Sequence, residues 1–370
     1  EGTTAPELVE NTSGTGADTA APAPALGNGP STWPTISANG RYIAFTSTAT
    51  NLTPDDYAGK ADIFLRDTLT GRTTLVSGNY AGENGNGGSY YPSVSDNGTL
   101  IAFATDATNL IPGDPDTNNS RDIYRYNAVD GAMTRVSQTL KGTQANGASG
   151  NARISGDGQV VAYTSAATNL TPGDTNGHVD AFIRGYTANT LTLASKNPNG
   201  TQSTRDVTQL TLSPNGRRAG WMWGYGTAAE WARGTTRTTP VYDPNYGGDP
   251  LSVVANNTHV GALSEGNNAF TLALNGATST HSLYWFYCIA QAHDWDQTPD
   301  GLTDVVAYWN GDDNKDYIEV NGPNGYHILT SKGRHPVISN DATTVAFDLN
   351  GQVYKWTLKT KTVTPISVTP

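Results

Sequence analysis

YPSVSDNGTLIAFATDATNLIPGDPDTNNSRDIYRYNAVDGAMTRVS, residues 91–137, has a close copy before it and another after it. Residues 33–77 read WPTISANGRYIAFTSTATNLTPDDYAGKADIFLRDTLTGRTTLVS, and residues 151–195 read NARISGDGQVVAYTSAATNLTPGDTNGHVDAFIRGYTANTLTLAS. The copies start at Trp33, Tyr91 and Asn151, a spacing of 58 and then 60 residues. Units of this length, each with several short strands, cannot bury an apolar face alone and must stack or close into a ring.

The middle copy predicts four strands. Pro92–Ser95 runs into the Asn97-Gly98 hairpin turn, and Leu100–Ala104 is a short apolar run suited to burial on both faces. A long polar loop leads to Asp122–Tyr126, and the Asp130-Gly131 turn leads to Ala132–Ser137. Four antiparallel strands of this kind make one propeller blade. Weaker copies open at Gln209 and Leu251, a sixth falls around Asp304–Val320, and a seventh runs from Pro336 to Val368. The expected fold is therefore all-β, a seven-bladed β-propeller of four-stranded antiparallel blades over residues 31–370, preceded by an N-terminal strand or linker over residues 1–30.

The motif P-x-[IV]-S-x-[ND]-G-x-x-[IV]-A-[FY], followed by a D-[IA]-[FY] strand, resembles the TolB-like (WD40-like) propeller repeat of secreted and periplasmic bacterial proteins. The resemblance is close over 31–196 and 334–370 and weak over 205–330. It implies the fold; such repeats serve binding proteins, scaffolds and enzymes alike.

Residues 3–30 compare with the stretch from Thr73, so they read as a fourth strand plus the linker to the next blade. Yet Val363–Val368 already supplies a fourth strand to the last blade. Residues 1–30 are then an outer strand or docked tail, or a strand offered to a second subunit in a self-assembling surface protein.

Charged residues make up 15% of the chain, against about 25% in ordinary soluble domains. Uncharged polar side chains replace them, which suits an extracellular or periplasmic protein. The net charge of -11 argues against nucleic acid and anionic membranes as partners. The single cysteine, Cys288, excludes an intrachain disulfide, and no apolar run is long enough for a membrane span. A start at Glu1 without Met fits a mature chain whose signal peptide has been removed.

Four loops end on an Asp that begins a third strand. The sets Asp174, Asn176, Asp180 and Asp114, Asp116, Asn118, Asp122 carry the oxygen donors that Ca²⁺ takes. Such Asp and Asn side chains also cap turns through their own backbone. A bound Ca²⁺ here would be structural, and no organic cofactor is expected.

In a propeller the residues leading into the innermost strands surround the channel mouth. Here these are Trp33, Tyr91, Asn151, Arg205, Asp206, Arg334 and His335, a ligand-binding ring for a polysaccharide or a protein. Six of the eight tryptophans lie between 221 and 309; they either stack on sugar rings or fill the wedges between diverged blades. Trp221 and Trp223 share one strand face, which favours packing for those two. There is no nucleophile elbow, no zinc-protease helix and no P-loop. A polysaccharide lyase needs only a base and a cation, for which His293, His335, Tyr287, Arg334 and Arg205 are candidates. The leading reading is a binding or structural module; a lyase-type enzyme and a strand-donating assembly subunit are the alternatives.

Overall fold

The computed structural model describes residues 25–369 apart from 57–58, 80–83, 198, 224–227, 234–238, 241–249, 256–259, 267–268, 275–289, 300–301, 311–314, 324 and 331. Among the described residues every regular element is a strand, and the strands form antiparallel sheets. Sheets 1, 2 and 3 span 31–75, 89–135 and 149–193. Sheets 4, 5, 6 and 7 span 207–240, 250–274, 290–330 and 334–365. Six have four strands in chain order, and sheet 5 has three among the described residues. Each first strand packs beside the first strand of the next sheet, and that of sheet 7 beside that of sheet 1. This is the radial arrangement of a β-propeller, with the first strands around the axis.

The repeated letters have separate structural duties. In S-x-[ND]-G the serine hydroxyl donates to the Asn or Asp and accepts the N–H that starts the second strand. Ser95 does so with Asn97 (2.9 Å) and Leu100 (3.0 Å), and Ser37, Ser155 and Ser339 repeat it. The glycine of this turn takes φ near +70°, as at Gly98 (75°), which favours a residue without Cβ. The [FY] positions of the second and third strands face each other across the ladder and stack: Phe45 on Phe64, Phe103 on Tyr124, Tyr163 on Phe182, Phe347 on Tyr354. Apolar clusters fill the wedges between neighbouring sheets. Trp221 and Trp223 belong to such a wedge, between sheets 3 and 4.

The T-N-L phrase holds the linker of the preceding sheet. Asn51, Asn109 and Asn169 accept the backbone N–H of Asn28, Asn86 and Asn146, whose side chains in turn bond Thr50, Thr108 and Thr168. Linkers and second-to-third-strand loops therefore share one face.

Residues 25–30 dock where such a linker belongs. Leu26 bridges Val368 antiparallel, as Asn84 does Gly78 and Gln144 does Gln138. The last sheet's fourth strand is Thr362–Pro365, from the C-terminal end of the chain. Residues 25–30 and 362–369 thus meet at one corner. The outer-strand and strand-donation readings of residues 1–24 lie outside the described residues.

In sheets 1, 2 and 3 the Asp that opens the third strand is buried with the Ser that follows the fourth. Ser77 donates to Asp62 (2.6 Å) and accepts the Ile63 N–H (2.9 Å); Ser137 with Asp122 and Ser195 with Asp180 repeat the pair. Burial pushes Asp62 and Asp122 up to about 6. A carboxyl whose pKa is raised by folding binds its proton more tightly in the native state, so its stability contribution falls as pH rises from about 4 to about 6. Asp62→Asn cannot titrate. Its unfolding free energy relative to the parent chain is expected to grow by about 2 kcal/mol from pH 4.5 to pH 7.5. Urea unfolding at both pH values measures it; a constant difference would mean that Asp62 stays ionised in the folded chain.

Candidate functional site

The first strands do not begin where the sequence suggests. Pro92 reads as a strand start, yet the strand is Ser89–Val94, and the expected mouth residues lie inside it. The reason is a bulge. Between Tyr90 and Ser93 the pairing with the second strand slips by one residue, and the same slip occurs at Thr32/Thr35, at Gly150/Arg153 and at Arg334/Val337. A bulge tolerates the proline, which has no N–H to give to the ladder.

At each slip one residue adopts a left-handed backbone: Trp33 (φ 55°), Tyr91 (54°), Asn151 (50°) and His335 (47°). For bulky L-residues this costs about 1–2 kcal/mol each. All four line one cavity of about 400 Å³ at the ring centre. His335 lies over Trp33 at 3.6 Å between ring centroids, and Tyr91 meets Trp33 edge-on at 5.0 Å. Trp33 keeps 40% of its surface exposed at the mouth. The His335 Nδ1 is 2.6 Å from Asp348 Oδ1, a contact that fixes the ring.

The next layer along the strands carries Thr35, Ser93, Arg153, Thr211, Asp296 and Val337. Two of these are charged and were not singled out in the sequence. Burial pulls the Arg153 guanidinium below its ordinary value, and the Asp296 carboxylate opposes that shift. Arg153 remains a cation at neutral pH. Asp296 Oδ2 accepts the Ile338 N–H of the neighbouring first strand (2.9 Å), as the Ser93 hydroxyl accepts that of Ile154 (3.0 Å). The available signal was positional: in the aligned repeat Arg153 stands where Thr35 and Ser93 do.

Arg205, Asp206 and Arg334 lie outside the cavity wall. The first strand of sheet 4 starts at Val207, so Arg205 and Asp206 are linker residues equivalent to Gly29 and Pro30. Asp206 instead accepts from the Val179 N–H (2.8 Å) and contacts His178 Nδ1 (3.0 Å), contacts that hold its carboxyl below the usual range. Arg334 precedes the bulge and pairs with Asp348 across the ladder. His293 falls at the slip of its own strand, between Ala292 and Asp294; its side chain and the whole of Tyr287 lie outside the described residues.

Asp116, Asp122, Asp174 and Asp180 are buried, with Asn118 and Asn176 donating to Asp122 and Asp180 (3.3 and 2.8 Å). Asp114 is half-exposed and paired with Arg135 (2.9 Å). Among the described residues no three carboxylate, imidazole or thiol groups converge, and no helix is long and apolar enough to cross a membrane.

No protein-family model matches this chain, and no curated protein matches it. Solved structures do resemble it. A prolyl endopeptidase matches with a TM-score of 0.59 at 12% identity over 91% of this chain, which spans only 49% of the enzyme. An oligogalacturonate lyase from Vibrio parahaemolyticus matches with a TM-score of 0.53 at 9% identity, covering 93% of this chain and 87% of the lyase. TolB from Acinetobacter baumannii matches at 14% identity over 84% of this chain and 57% of TolB, with a TM-score of 0.41, too slight to build on. At such identities the likeness is one of fold alone. The class it defines, together with the sheets and the axial cavity, is the β-propeller.

Proposed function

We propose that residues 31–370 form a single seven-bladed ring that works outside the cytoplasm as a binding module, taking a saccharide at the axial cavity. The observation that carries this reading is the bulge layer. Four strained backbone positions, where glycine would be cheapest, bear Trp33, Tyr91, Asn151 and His335 instead. A part-exposed indole, amide and imidazole groups beside it and a cation in the next layer suit a sugar ring with polar substituents. The test is an array of neutral and uronate oligosaccharides, followed by calorimetry on the best. Trp33→Ala is expected to weaken binding at least about tenfold, the worth of one aromatic platform, with the melting midpoint unchanged within about 2 °C. A parent chain that binds no saccharide sinks the proposal.

A second reading is a polysaccharide lyase. It draws support from His335, oriented by Asp348, facing the same cavity as Arg153. The imidazole would take the proton beside a uronate carboxylate and Arg153 would hold the resulting charge. It predicts an unsaturated product absorbing in the ultraviolet that disappears in His335→Ala.

A further inference from the structure

The loop corners of sheets 1, 2 and 3 each bury a second carboxylate six residues before the Asp of the third strand. The pairs are Asp56 and Asp62, Asp116 and Asp122, and Asp174 and Asp180, all at most 7% exposed. Two carboxylates withdrawn from water need a compensating donor or cation. In sheet 1 the Asn84 amide nitrogen bridges them, at 2.7 Å from Asp56 Oδ1 and 3.4 Å from Asp62 Oδ2. In sheet 2 a buried guanidinium is present. Arg135, 2% exposed, bonds Asp114 (2.9 Å) and the Tyr124 hydroxyl (3.1 Å), with Nε 3.9 Å from Asp122 Oδ2.

Sheet 3 has neither device. The repeat places Leu193 where Arg135 stands, Phe182 where Tyr124 stands and Thr171 where Ile111 stands. Gln202, at the position of Asn84, is engaged by the Thr175 N–H (3.1 Å) and the Gly173 carbonyl. Asp180 is served by Ser195 and Asn176. Asp174 is 94% buried (6% exposed), and its Oδ1 has no hydrogen-bond partner; neither has the buried Thr171 Oγ1.

We propose that the sheet 3 corner binds Ca²⁺ through the carboxylates of Asp174 and Asp180 and the Thr171 hydroxyl, in the role that Arg135 fills in sheet 2. The donors are all oxygen, which selects a hard cation over zinc or copper. With two carboxylates the site belongs with weak extracellular calcium modules, with Kd on the order of 0.1–1 mM.

The test titrates Ca²⁺ alone into the full chain after chelation and dialysis, and follows the melt with Ca²⁺ and with Mg²⁺. Expected are binding in the stated range and a melting rise of about 2 °C at ten to twenty times Kd. Asp174→Asn is expected to weaken binding at least about tenfold. The triple variant Leu193→Arg, Phe182→Tyr and Thr171→Ile brings the sheet 2 guanidinium and its hydroxyl partner to this corner, and is expected to fold and to melt alike with and without Ca²⁺. Absence of both heat and melting shift in the parent chain overturns the proposal whatever the variants do. Parent-like binding by Asp174→Asn, or by the rebuilt corner, overturns it as well.

Discussion

A chain that begins at Ser31 is expected to melt about 4–6 °C below one that begins at Ala25. Every other corner of the ring carries a continuous linker, whereas between sheets 7 and 1 residues 25–30 take the linker's place, beside the apolar wedge that the two sheets share. Gly27 donates to the Ser367 carbonyl (2.8 Å), and the Thr369 N–H to the Ala25 carbonyl (2.8 Å). Gln352 stands where sheets 1, 2 and 3 have their buried Asp. Its carbonyl takes the Ser367 hydroxyl (2.7 Å), and its amide donates to the carbonyls of Gly27 (3.2 Å) and Gly29 (3.4 Å). Asn28 and Thr50 bond each other twice, at 2.9 and 2.7 Å. Removing these residues uncovers Ser367, Val368 and Leu52, all nearly inaccessible to water now. Ordering six residues cancels part of the gain, since each costs about 1–2 kcal/mol of backbone entropy. What remains is the desolvation cost of polar groups left without partners, about 1–3 kcal/mol for each fully buried one. A net loss of about 3–5 kcal/mol follows. Equal melting of the two chains would show that sheet 7 and sheet 1 hold together by wedge packing alone.

The repeat was legible because each of its letters is held by local chemistry. Ser95, Asn97 and Gly98 form one turn, Phe103 and Tyr124 one stacked pair, Asp122 and Ser137 one buried bond. Such short-range requirements recur unchanged from sheet to sheet and leave a written pattern. The cavity leaves none, because its walls come from one to four residues of each of six sheets and no local bond that recurs from copy to copy sets their identity. The mouth residues Trp33, Tyr91, Asn151 and His335 could be named from their place before the motif. Their bulged, left-handed backbone could not, since Trp and Tyr carry no sign of positive φ. Arg205 and Asp206 looked equivalent to them only because the sheet 4 copy had drifted, and the ladder puts them two and one residues ahead of the strand at Val207. Arg153 and Asp296 were hidden for the opposite reason. They sit 143 residues apart in sequence (296 - 153) and are related only through the ring.

That relation sets the second large effect. Asp296→Ala is expected to destabilise the chain by about 2–4 kcal/mol, because it removes two functions at once. The Ile338 N–H loses its acceptor inside the channel wall, and the Arg153 guanidinium loses the carboxylate that opposes its burial. Asp296→Ser separates the two. Ser93 already accepts the equivalent N–H of Ile154 with a hydroxyl, so serine at 296 should recover that bond but not the charge. Adding Arg153→Met to Asp296→Ser should then restore stability, with a coupling of at least about 1 kcal/mol in the double-mutant cycle. Additive effects would mean that Arg153 is compensated by water in the open channel. In that case the guanidinium is already hydrated, and a ligand carboxylate would gain less from meeting it than the proposed recognition requires.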